Sequence, residues 1–118
     1  MKPEIKYFYS PDIEDLKKYS PKQKNNFSFL LQVIIGVEGM EGEESFDFEI
    51  CTPHWLLENY EKNKIIFGRG YIIVFEYNLE NIIEKINKVI DKCKGGSWDE
   101  IANKINLFGR WEFDNYIE

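Results

Sequence analysis

The sequence predicts an α+β fold, an antiparallel sheet of about four to five strands packed on two or three helices. Three observations carry this reading. Strand-like patterns dominate the first half, notably Phe27 to Val37 and Ser45 to Cys51. Helical spacing takes over from Leu79 onward. Strands first and helices afterwards is the order of an α+β domain, not of alternating βαβ units.

The elements follow in order. Glu4 to Tyr9 sets Ile5, Tyr7 and Tyr9 against Lys6 and Phe8, a strand pattern. Pro11 to Ser20 spaces Ile13, Leu16 and Tyr19 for at most a short helical turn, and residues 21 to 26 (PKQKNN) form a polar loop. Phe27 to Val37 is nearly continuous in apolar residues, as expected of a central strand buried on both faces. Gly39 and Gly42 frame a turn. Ser45 to Cys51 alternates cleanly, which sends Phe46, Phe48 and Ile50 to the core and Asp47 and Glu49 into solvent.

Thr52 and Pro53 open a short helix reaching about Tyr60, since threonine is a favoured N-cap and proline fits the first helical position. Ile65 to Tyr77, interrupted by Gly68 and Gly70, reads as a further strand that is best from Tyr71 onward. Asn78 caps a helix carrying Leu79, Ile82, Ile83, Ile86, Val89 and Ile90 on one face, and Gly95-Gly96 ends it. Ser97 and Glu100 form a capping box for a last helix bearing Ile101, Ile105 and Phe108, which Gly109 closes. The tail RWEFDNYIE is a last strand or an extended cover, with Trp111 and Phe113 as its anchors.

At 118 residues the chain fits one domain, residues 1–118. Its 43% hydrophobic and 16% aromatic content excludes a disordered chain. A pI near 4.9 argues against nucleic acid and anionic membranes as partners, because phosphate binding needs clustered Lys and Arg. The N-terminus MKPEIKYFYS lacks an apolar export core, and FLLQVIIGV is too short to cross a bilayer. With only Cys51 and Cys93, the expectation is a cytoplasmic protein with reduced, buried thiols.

Charge is concentrated in one place. Glu38, Glu41, Glu43, Glu44, Asp47 and Glu49 lie in a stretch without Lys or Arg, and the whole chain is only −6. These six carboxylates are the candidate partner-binding residues, facing a basic protein. The bland alternative is a solvated hairpin that keeps the protein soluble.

Catalytic patterns are missing. His54 is the sole histidine, so no metal-ligand spacing exists and no metal or cofactor is expected. Cys51 and His54 stand three residues apart, but a nucleophile also needs a pocket and an orienting third group. Gly68-Arg69-Gly70 runs into a strand instead of a helix, which leaves a phosphate without a helix N-terminus. The exposed strand carboxylates lack the apolar surroundings that acid–base catalysis requires. An enzyme is disfavoured.

The unit Cys51, Thr52, Pro53 and Trp55, the helix start at Trp98, and the terminal Trp111, Glu112, Phe113 and Tyr116 together resemble the immunity protein 8 family. These are small cytoplasmic proteins encoded beside toxins of bacterial polymorphic and contact-dependent inhibition systems. The resemblance spans the last three-quarters of the chain. It implies an α+β fold and neutralisation of a cognate toxin by direct binding, with no catalytic residues. A basic, nuclease-type toxin suits the acidic edge. The three tryptophans are expected to define the scaffold, leaving recognition to the acidic surface. Two further readings stand beside this one. One is a ligand pocket near Cys51 and His54, and the other a structural domain that self-associates through a sheet edge or aromatic patch. A monomer or weak homodimer is expected.

Overall fold

The computed structural model describes residues 1–114 and shows a mixed, mostly antiparallel five-stranded sheet with three helices. Strands β1 (Pro3–Tyr9), β2 (Ser28–Val37) and β3 (Glu44–Cys51) pair antiparallel in sequence order. Helix α1 (Pro53–Asn59) follows, then the short strand β4 (Tyr71–Ile73), which runs parallel to the end of β3. Helices α2 (Leu79–Asp91) and α3 (Trp98–Ile105) come next. Strand β5 (Arg110–Trp111) returns to pair antiparallel with Phe46 and Asp47. The far side of β3 is therefore shared by two short strands from separate parts of the chain.

The core lies between one sheet face and helices α2 and α3. Cross-strand partners Phe29 and Ile50, Leu31 and Phe48, and Val33 and Phe46 are all buried. They pack with Ile82, Ile86 and Ile90 of α2 and Ile101, Ala102 and Ile105 of α3. Spacings of three and four residues put each helical set on a single stripe. In β2, burial alternates from Ser28 to Val33 and becomes continuous only from Val33 to Gly36. Burial on both faces is thus confined to that half of the strand.

Caps fall where local chemistry places them. Thr52 accepts the Trp55 amide at 3.3 Å, and its fully buried hydroxyl also accepts the Phe27 amide at 3.2 Å, joining α1 to the start of β2. Asn78 accepts from the Asn81 amide and Ser97 from the Glu100 amide. The Glu100 carboxylate accepts the Gly96 amide at 3.0 Å, one residue beyond the N-cap amide that a capping box prescribes.

Three local expectations are revised. Ile65 to Phe67 is an exposed loop, and only Tyr71–Ile73 of that region is strand. Gly68 (φ +93°) and Gly70 (φ +85°) turn the chain sharply, so an extended run cannot continue through them. Phe108 is outside α3 and nearly half exposed, because the helix ends at Ile105. Gly109 is kept bare by crowding: an added Cβ would stand 2.6 Å from the buried Phe48 ring. Of the terminal motif, Tyr116 lies outside the described residues.

Candidate partner-binding face

Alternation gives β2 and β3 a second face, turned away from α2 and α3. One row across it runs Tyr9, Gln32, Asp47 and Arg110, one residue from each of four strands. The neighbouring row is Leu30, Glu49 and Tyr71, and on the other side lie Tyr7, Ile34 and Ser45. Tyr7 and Tyr9 are each 51% exposed, so the β1 side of this face is open among the described residues.

Asp47 and Glu49 do occupy the outer face, but both are half-buried instead of fully solvated. Burial pushes the Asp47 carboxyl above its ordinary range, with Glu112 adding to the rise, against the opposing pull of the Gln32 hydrogen bond and the Arg110 charge. Arg110 lies against Gly70, where a Cβ would meet its Nε at 2.6 Å, and its guanidinium sits 5.3 Å from the Tyr71 ring centroid. Glu43 hydrogen-bonds Tyr7, which raises the Tyr7 phenol and brings the acidic hairpin beside the tyrosines.

The six carboxylates separate into groups. Glu38, Glu41 and Glu43 are exposed on the hairpin between β2 and β3. Asp47 and Glu49 stand on the outer face. Glu44 is half-buried, and its Oε1 accepts the indole N–H of both Trp98 and Trp111, each at 2.8 Å. Trp111 also stacks on Phe46, with centroids 6.2 Å apart and planes 12° from parallel. Trp98 and Trp111 pack against the core, whereas Trp55 pairs edge-on with Tyr60 at its margin. Phe113 meets Trp111 edge-on but stays 46% exposed, so it lies against that ring without being buried as an anchor.

Cys51 and His54 do not form a pair. Cys51 is fully buried, and burial, then the Glu49 charge, push its thiol up, away from the reactive thiolate. His54 is exposed and bonds Glu58 at 3.2 Å along α1. Cys51 and Cys93 are both free and buried. Among the described residues no cluster of three or more His, Cys, Asp or Glu side chains is placed to hold a metal ion. A crevice of 210 Å³ between β4 and α2 is lined by Phe48, Tyr71, Ile72, Val89 and Phe108, with Lys85 its sole charged residue. It lacks the convergent polar groups that orient a small ligand.

The family model described as Immunity protein 8 matches residues 3–116. The chain belongs to the Immunity protein 8 family. No curated protein and no solved structure matches it. Membership gives the chain an immunity role, which means binding a cognate toxin. The match begins within β1 and so extends well beyond the motifs that suggested the Immunity protein 8 resemblance. No helix among the described residues is long and apolar enough to cross a membrane.

The open tyrosines Tyr7 and Tyr9 and the cation Arg110 were not singled out from the sequence. The pattern at Tyr7 and Tyr9 was visible, but which face of an edge strand stays open depends on where the helices pack.

Proposed function

We propose that this immunity protein neutralises a cognate, basic toxin of the nuclease class in the cytoplasm, by occupying it and without catalysis. The proposed contact is the outer sheet face together with the acidic hairpin: Glu38, Glu41, Glu43, Asp47 and Glu49, interleaved with Tyr7 and Tyr9. Glu44 belongs to this acidic run, and its role in binding is to hold the hairpin in place through the two tryptophans.

The observation that carries the reading is the row Tyr9, Gln32, Asp47 and Arg110 on the outer face, which is open on its β1 side. Tyrosines supply large contact area at low entropic cost, and carboxylates steer a basic partner. Asp47 adds a specific advantage. Its carboxylate is already partly desolvated by the fold, so an arriving Lys or Arg relieves a charge that the protein alone compensates incompletely.

The test is binding to a catalytically inactivated toxin domain encoded beside this chain, followed by stopped flow at low and high salt. Reversing Glu41 and Glu43 to Lys should slow association and flatten its salt dependence, with folding unchanged. Equal association rates for both proteins at both salts would place the docking surface elsewhere.

A further inference from the structure

We infer that the loop from Glu61 to Arg69 is an apolar anchor that inserts into a cleft of the same toxin, beside the basic surface met by the acidic face. This rests on the toxin-binding reading above and adds a second contact of opposite chemistry. Phe67 is 101% exposed, Ile65 81% and, on α1, Leu57 82%. Ile65, Ile66 and Phe67 are consecutive and all exposed. A run of three such residues in water is unfavourable for a chain that has no use for it.

The loop is held at both ends. On one side Tyr60 bonds back to α1, and Lys64 donates its amide to the Glu61 carbonyl at 2.9 Å while its ammonium lies 5.6 Å from the Tyr60 ring centroid. On the other side the Arg69 guanidinium donates to the Asn106 carbonyl, the Asn106 side chain and the Gly109 carbonyl, and reaches Asp114 at 3.4 Å. The Tyr71 amide closes the turn onto the Gly68 carbonyl at 2.9 Å. Fixed ends and a bare apolar tip are the features of a preorganised anchor, which loses little freedom on binding.

The loop also borders the acidic face. Tyr60 and Tyr71, the residues on either side of it, bring their hydroxyls within 3.5 Å of each other, and Tyr71 is the cross-strand partner of Glu49. One partner can therefore span both. Charge specifies the rim of its cleft: with Arg69 turned onto Asn106, Gly109 and Asp114, the loop presents Lys62 and Lys64 against the single acid Glu61, so the cleft is apolar with carboxylates around it. An anionic bilayer fits less well, because the adjoining Glu49 and Asp47 and the net charge of −6 would be repelled from it.

The experiment compares wild type, an Ile65→Ser/Phe67→Ser variant and a Glu49→Lys variant for binding to the inactivated toxin domain. All three are first checked for the same circular dichroism and melting temperature. The expected result is an off-rate at least ~30-fold faster for the loop variant with its salt dependence kept, while Glu49→Lys acts on the on-rate. An unchanged off-rate in the loop variant, with wild type binding tightly, overturns the anchor alone and leaves the toxin-binding reading standing. Failure of wild type to bind overturns the toxin-binding reading itself. Light scattering of the free chain, and sedimentation with vesicles of phosphatidylcholine and phosphatidylserine, complete the test. Loop-dependent self-association or loop-dependent vesicle binding, with toxin affinity unaltered, would assign the loop to that partner and overturn the inference.

Discussion

Glu44 and Trp111 meet across 67 positions of sequence, the Oε1 of one accepting the indole N–H of the other at 2.8 Å. The same oxygen takes the Trp98 indole, so one carboxylate fixes the start of β3, the start of α3 and the returning strand β5. Glu44→Ala should cost about 2 kcal/mol, the worth of charge-assisted bonds whose donors lose their partner. Glu44→Gln keeps an acceptor and should cost less. Urea unfolding followed by tryptophan fluorescence measures both, and an alanine variant as stable as wild type would show that the two indoles are satisfied without Glu44.

Asp47 should make stability depend on pH with a recognisable sign. Its folded-state carboxyl is raised above the ordinary value, so between the two values the native protein holds the extra proton. Stability from this group is present at low pH and is lost as pH rises through the folded value. Asp47→Asn should therefore stabilise the protein at neutral pH, with the gain shrinking toward acid. Melting curves over a pH series would decide it; destabilisation at neutral pH would mean that Arg110 outweighs burial.

Tyr77 belongs to an aromatic cluster with Tyr19, Phe27 and Phe29, and its buried hydroxyl lacks a hydrogen-bond partner among the described residues. Removing that oxygen as Tyr77→Phe should stabilise by about 1 kcal/mol, since the ring contacts remain. A loss of stability in the same assay would reveal a bond to the hydroxyl.

Gly109→Ala should destabilise by about 1–3 kcal/mol, because the new methyl group must displace the Phe48 ring in a closed core. Phe48→Leu in the same chain should restore part of the loss. If the two substitutions simply add, the contact between positions 48 and 109 is not the cause.

The long elements were legible because their residues repeat a single environment. Six apolar positions of α2 follow one helical stripe, and the alternation of β3 marks its core side at Phe46, Phe48 and Ile50. Ile65 to Phe67 misled for the same reason. An apolar run reads as a buried strand, whereas these residues have no strand to pair with and two glycines in left-handed geometry beside them. The parallel direction of β4 was hidden too, since alternation says which face a residue takes and nothing of which way its neighbour runs. At the candidate face, the acidic run was evident, but its division was not. Glu44 differs from Glu43 only through indoles 54 and 67 residues away, and no local pattern encodes such partners.

The divided margin of β3 has a bearing on crowded solutions. On that side the sheet finishes in three residues of β4 and two of β5, and on the opposite side β1 carries a bulge between Ile5 and Tyr7. Among the described residues, a foreign chain seeking to add itself by backbone pairing would meet no long, regular ladder at either margin. Fibril growth requires such a ladder, repeated without interruption. Along its two sheet margins the fold therefore offers a second copy of itself little to template from.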